Sequence, residues 1–155
     1  MGIDKTFGRA FAKSQLATGI KLPKQGTTFI SVKDSDKPKS VEIAKGLQDM
    51  GYQIVATKGT ADYLKLNGIN AKLIKKVKDG SPHCVGAIES GRINIVINTT
   101  FGEQAIEDSF SIRRSSLNKN LPYCTTIAGA SALLGGLKSI KEEDLSITTI
   151  QEYNK

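Results

Sequence analysis

From residue 27 onward the chain alternates between short β-branched runs and helical repeats closed by glycine, and that alternation restricts its fold more than any other feature. Thr27-Thr28-Phe29-Ile30-Ser31-Val32 reads as a strand. Lys33 to Pro38 is a loop entering a helix, with Pro38 in the first turn, where its missing N–H costs nothing. Ile43, Leu47 and Met50 repeat at i, i+4, i+7, and Gly51 stops that helix. Gln53 to Ala56 is a second strand, Thr60 to Asn67 a helix ended by Gly68, and Ala71 to Val77 a short third strand. A helix over His83 to Ser90 ends at Gly91, and Arg92 to Asn98 gives the strongest strand signal. Another helix is expected to begin near Ser109, Pro122 to Thr125 is a last short strand, and Ile127, Ala130, Leu134 and Leu137 mark the last long helix. Strands alternating with helices predict a parallel sheet covered on both faces, and right-handed crossovers leave few ways to connect it. The expected fold is α/β: a Rossmann-like three-layer sandwich with a sheet of about five parallel strands.

With 155 residues the chain can form one domain that buries roughly two-thirds of its unfolded surface, so it needs neither metal nor disulfide to hold a core. Cys84 and Cys124 are too far apart for a Cys-x-x-Cys pair and read as reduced structural thiols. The apolar stretch Thr126 to Leu137 is too short to span a bilayer, and Met1 to Thr6 lacks the apolar core of a signal peptide, so a cytoplasmic location is expected. Residues 1–26 form a lead-in: Phe7, Ala10, Phe11 and Ser14 lie near one face of a helix, followed by a Gly- and Pro-marked loop. The expected division is an arm and linker over 1–26 and the domain over 27–155. Such an arm is expected to pack on something outside the domain.

Charge narrows the partner class. Residues 1–78 carry 15 basic and 6 acidic side chains, whereas residues 79–155 carry 7 and 9. A basic half suits an anionic partner. In an open parallel sheet, ligands bind at the carboxyl ends of the strands. There the sequence places Asp34, Ser35 and Lys37; Thr57-Lys58-Gly59-Thr60; Lys72, Lys75, Lys76 and Lys78; Asn98-Thr99-Thr100; and Thr125-Thr126. Helix N-terminal amides, hydroxyls and ammonium groups together satisfy a phosphate without a metal. Thr60 and Ser109 have a second reading as helix N-caps, and His83, after Pro82, reads as a capping or packing residue. No nucleophile elbow, phosphate-binding Walker loop or Gly-x-Gly-x-x-Gly occurs, so the residues describe a binding domain with no catalytic and no metal-ligating set.

The motifs Asp4-Lys5-Thr6-Phe7, Ala10-Phe11-Ala12-Lys13-Ser14-Gln15, Ser31-Val32 with Asp36-Lys37, Ala56-Thr57-Lys58-Gly59-Thr60-Ala61, Ile97-Asn98-Thr99-Thr100, Glu107-Asp108-Ser109 and Ile112-Arg113-Arg114 occur in order along nearly the whole chain. Together they resemble the carboxyl-terminal regulatory domain of the carbamoyl-phosphate synthase large chain, a methylglyoxal-synthase-like fold. The resemblance implies an allosteric domain of the glutamine-hydrolysing enzyme of pyrimidine and arginine biosynthesis. It would bind UMP as inhibitor or IMP as activator through Lys37, Thr57, Lys58, Thr60, Lys76, Asn98, Thr100 and Ser109. Lys58 stands where many relatives have His, which adds a positive charge beside the phosphate position. Ornithine activates many family members, and Tyr123 and Thr125 would meet it at the junction with the synthetase portion. Implied partners are the synthetase domains of the same chain and a glutaminase small subunit, with nucleic acid and membrane excluded and self-association left open. No cofactor is expected here; the parent enzyme would use ATP with Mg or Mn and K.

Two other readings compete. A methylglyoxal synthase acting on dihydroxyacetone phosphate shares the resemblance, and Asp34 and Lys37 resemble residues which that family keeps. Its Gly-Gly-Asp segment is replaced by Gly80-Ser81-Pro82, and the Asp expected after the fourth strand is missing. An RNA-binding module would use the basic half, but no aromatic residue is interleaved among Lys72 to Lys78.

Overall fold

The computed structural model describes residues 1–99, 103–142 and 144–153, side chains at 78, 103–105 and 108 excepted. Strands β1 (Thr27–Ser31), β2 (Gln53–Ala56), β3 (Ala71–Leu73), β4 (Ile95–Asn98) and β5 (Tyr123–Cys124) form one sheet in the order β3-β2-β1-β4-β5. Every pairing is parallel, with Thr28 opposite both Ile54 and Ile95. Helices α1 (Phe7–Ala17), α2 (Lys37–Asp49), α3 (Lys58–Leu66), α4 (Cys84–Glu89), α5 (Glu103–Asn118), α6 (Ile127–Glu142) and α7 (Ile150–Tyr153) complete the chain. The expected three-layer sandwich is the observed fold.

The two faces of the sheet build two cores. Ile30, Ile54, Ile95 and Ile97 pack against Ile43 and Leu47 of α2, Leu64 of α3 and Leu133 and Leu137 of α6. Phe29 and Val96 point the other way, toward Val85 and Ile88 of α4 and Ile112 of α5. Alternate residues of a strand face opposite sides, so β1 and β4 supply both cores and read as nearly continuous apolar runs. The chain leaves β1 toward β2 and β3 and returns on the other side at β4. That reversal opens a crevice at the carboxyl ends of the central strands.

Three expectations are corrected. The third strand ends at Leu73 rather than Val77; the chain then turns through a short 3₁₀ segment, Val77–Asp79. Ile74 N still donates to the carbonyl of Ala56, the last residue of β2, and Lys75 then forms an isolated bridge with His83, so the ladder stops where β2 stops. Helix α5 starts at Glu103 rather than near Ser109, which therefore sits in the second turn instead of capping. The arm also packs on its own domain, along α6. Phe11 and Ala12 face Gly136, with Ala12 fully buried. Asp4 anchors the arm, accepting from Arg9 Nε at 3.1 Å and pairing with Lys13 Nζ at 2.8 Å. Lys13, then a backbone bond from Lys5 and the Arg9 guanidinium, hold the Asp4 carboxyl below its ordinary range against the opposing effect of burial.

The α1–α6 contact depends on small residues. A Cβ on Gly8 would lie 2.8 Å from the Gly135 carbonyl oxygen and would also strike Ser139 Oγ. Gly8→Ala should therefore lower the stability to denaturant by about 1–3 kcal/mol, the range for overpacking, although alanine favours the helix. An unchanged unfolding midpoint would show that α1 is free to move away from α6.

Candidate functional site

A cleft of about 470 Å³ lies over the carboxyl ends of β1, β2 and β3. Its floor and walls include Ser31, Asp34, Lys37, Thr57, Lys58, Gly59, Thr60, Lys75, Lys76 and Asp79. This is within the usual volume range of small-ligand sites.

Helix α3 gives the cleft its chemistry. Thr57 is the N-cap with an extended backbone, yet its side chain makes no capping bond. Its hydroxyl instead donates to Ser31 Oγ at 3.1 Å, tying the ends of β1 and β2 together. The first intrahelical bond runs from Ala61 N to the Thr57 carbonyl, so the amides of Lys58, Gly59 and Thr60 precede the ladder. They carry the positive end of the helix dipole. Gly59 leaves room at this turn: a Cβ there would sit 3.6 Å from Lys37 Nζ. The Lys37 ammonium therefore stands over the amino end of α3.

Thr60 is not the N-cap. Its buried hydroxyl accepts from Val32 N at 3.2 Å, fixing the turn that leaves β1. Thr60→Ala should leave that buried amide without its acceptor and cost about 1–3 kcal/mol of stability, whereas Thr60→Ser should stay close to the parent in urea unfolding. Equal stability of the two variants would contradict this role.

Lysine placement sets the potential. Lys37, Lys58, Lys75 and Lys76 line the cleft together with Asp34 and Asp79. Lys58 is largely exposed and pairs with Asp62 at 3.1 Å. Asp79 accepts from the Lys76 backbone amide at 3.3 Å. Lys37 pairs with Asp34 at 2.8 Å and, ahead of any longer-range attraction, the Lys37 hydrogen bond draws the Asp34 carboxyl below its ordinary range.

The structure thus gathers Lys37, Thr57, Lys58, Thr60 and Lys76 into one cleft. Asn98 is buried at the end of β4 and donates to the Tyr123 hydroxyl at 3.3 Å, outside the cleft lining. Arg113 lies over the Tyr123 ring, 5.7 Å from its centre. Thr125 is exposed just after β5, and Ser109 lies on α5; neither lines the cleft. Thr100 falls outside the described residues. Ser31 and Asp79 line the cleft without having been singled out as ligand-binding residues. Asp79 ends the 3₁₀ segment Val77–Asp79, and the turn signal Asp79-Gly80-Ser81-Pro82 marks that place in the sequence.

Other chemistry-bearing residues are structural. His83 Nδ1 accepts from Gly86 N at 3.2 Å, capping α4. Cys84 and Cys124 are free, and burial pushes both thiols up, that of Cys124 to about 12. Among the described residues no group of three His, Cys, Asp or Glu could hold a metal, and no helix is long and apolar enough to cross a membrane.

Residues 39–125 match the family of MGS-like domains. The chain is 51% identical over 153 residues to the carbamoyl phosphate synthase large chain of Myxococcus xanthus (strain DK1622), covering 99% of this chain and 14% of that one. It is 44% identical over 156 residues to the carbamoyl phosphate synthase large chain, C-terminal section, of Methanopyrus kandleri, covering all of this chain and 29% of that one. The corresponding section from Aquifex aeolicus is 46% identical over 160 residues, 30% of its length. The chain therefore spans less than a third of the length of each of these relatives. Among solved structures, methylglyoxal synthase from Elizabethkingia anophelis NUHP1 superposes with a TM-score of 0.60 at 20% identity, over 73% of this chain and 79% of that one. At that identity the likeness is one of fold.

Proposed function

This chain belongs to the MGS-like domain family, and we propose that it is the effector-binding regulatory domain of a carbamoyl phosphate synthase large chain. The observation that carries the proposal is the cleft itself: the Lys37 ammonium over uncapped α3 amides, with Lys75 and Lys76 in the same lining and no catalytic carboxylate free of a partner among Asp34 and Asp79. Such a set binds a phosphate group through charge-assisted bonds. The relatives' names supply the context in which that binding would matter.

On this reading UMP or IMP places its phosphate between α3 and Lys37 and its nucleoside along the lining formed by Leu73, Ile74, Lys75 and Lys76. Occupancy then biases how the domain docks on the synthetase domains of the same chain. The coupling is reciprocal, so substrates that change UMP affinity do so by the factor by which UMP changes theirs. Asn98, Thr100 and Ser109 belong to the wider site that the family resemblance implies. Ornithine would bind at a second place, with Tyr123 and Thr125 contributing from this side and the synthetase portion supplying the rest. The ATP-, Mg- or Mn- and K-dependent chemistry and the contact with a glutaminase subunit would reside elsewhere in the parent enzyme.

Calorimetric titration of the domain with UMP, repeated with IMP, tests the proposal. Saturable one-site binding that Lys76→Ala weakens is the expected result. Absence of heat and of a thermal shift with either nucleotide, together with phosphate release from dihydroxyacetone phosphate, would replace it with the methylglyoxal synthase reading.

A further inference from the structure

The cleft contains a carboxylate that any incoming anion must meet. Asp34 Oδ1 lies 2.8 Å from Lys37 Nζ, and Lys37 Nζ is 3.6 Å from where a Cβ on Gly59 would sit, at the amino end of α3. The two differ sharply in exposure: the Asp34 side chain is 94% exposed and that of Lys37 20%. Among the described residues Asp34 is held by Lys37 alone, whereas the second carboxylate of the cleft, Asp79, is tied to backbone. Asp36, one turn away, points to Lys33 at 4.0 Å and does not line the cleft. Of the remaining charges lining the cleft, Lys58 pairs with Asp62, while Lys75 and Lys76 follow the end of β3.

We propose that Asp34 is a built-in competitor for the anion: it occupies Lys37 when the cleft is empty and must give it up when a phosphate enters. This rests on the reading of the cleft as a phosphate site and adds the residue that sets its affinity. The physical argument is one of exchange. An exposed carboxylate loses little by returning to water, because a solvated ion pair is screened and holds its partners only weakly. A phosphate dianion gains Lys37 and the α3 amides together, but only after the Asp34 charge has moved aside or at the cost of lying beside it. Asp34 therefore lowers affinity for every anion at this place, and most for the most highly charged one. It also keeps Lys37 positioned, so the site stays ordered without its ligand.

The test compares the parent domain with Asp34→Asn, using inorganic phosphate and UMP as probes in calorimetry at low and at high sodium chloride. Asp34→Asn should bind both about threefold to tenfold more tightly, and the gain should shrink at high salt as the charges are screened. Adding Lys37→Ala to Asp34→Asn should abolish the gain. Equal or weaker binding of UMP and phosphate by Asp34→Asn, with the parent still binding, overturns the competitor role and leaves the nucleotide reading standing. Tighter phosphate binding by Asp34→Asn with no UMP binding by either protein supports the competitor role and ends the nucleotide reading. Failure of both proteins to bind phosphate or UMP at millimolar concentration overturns both.

Discussion

Lys37→Ala combined with Lys76→Ala should weaken UMP binding by about a hundredfold or more while leaving the unfolding midpoint near that of the parent. Each ammonium contributes a charge-assisted hydrogen bond to phosphate, worth about 1.5–3 kcal/mol when it is lost, and tenfold in affinity corresponds to about 1.4 kcal/mol. Both side chains stand on the walls of the cleft and outside the two hydrophobic cores, so their removal leaves both cores intact. Lys37→Ala frees Asp34 and leaves its charge beside the site, which makes the single Lys37 variant the more damaging of the two. Calorimetry with UMP gives the affinity and urea unfolding gives the stability. A double variant that binds within a few fold of the parent would remove these two lysines from the site.

The largest effect on stability is expected at Phe29. Its ring is fully buried on β1 and packs against the layer of α4 and α5, with Val85, Ile88, Val96 and Ile112 in the same cluster. That cluster is the smaller of the two cores, and Phe29 is its only large aromatic fully shielded from solvent among the described residues. Phe29→Ala should cost about 3–5 kcal/mol, which is comparable to much of the total stability of a domain of this size. The variant should either unfold well below the parent in urea or lose its cooperative transition. A loss under about 1 kcal/mol would mean that the α4–α5 layer collapses into the gap without strain.

The fold was legible because its signals are local and agree with one another. Ile43, Leu47 and Gly51 mark the apolar face and the end of α2, and β1 and β4 carry the apolar runs of strands buried on both sides. Signals failed where a local pattern competed with tertiary context. The run from Ala71 to Val77 holds no turn residue and reads as one strand, but β2 ends at Ala56, opposite Leu73, and Lys75 bridges His83 instead. The early start of α5 was hidden because Asp108-Ser109 looks like a helix start, although it lies within the helix. The arm misled for another reason: Gly8, Gly135 and Gly136 permit close helix contact, and spacing on α1 alone does not show the partner groove on α6.

The candidate site was legible to the extent that strand-end positions determine it. Lys37, Thr57, Lys58, Thr60 and Lys76 follow three successive strands in the sheet and therefore converge. The division of labour among them was not. Thr60 reads as a cap in sequence and holds the Val32 amide in the structure, a long-range contact that spacing does not encode. The Asp34–Lys37 pair is an i,i+3 contact, yet its importance comes from Lys37 lying over α3, which only the packing of the two helix starts reveals.

The central claim is that the amino end of α3 receives the nucleotide phosphate. Titration of isotopically labelled domain with UMP, followed by amide chemical shifts in nuclear magnetic resonance, tests it most directly. The account predicts saturable shifts concentrated at Lys58, Gly59 and Thr60, with smaller changes along residues 73–79, and the same α3 pattern with inorganic phosphate. Saturable shifts centred on Tyr123 and Thr125 with α3 unmoved would contradict it.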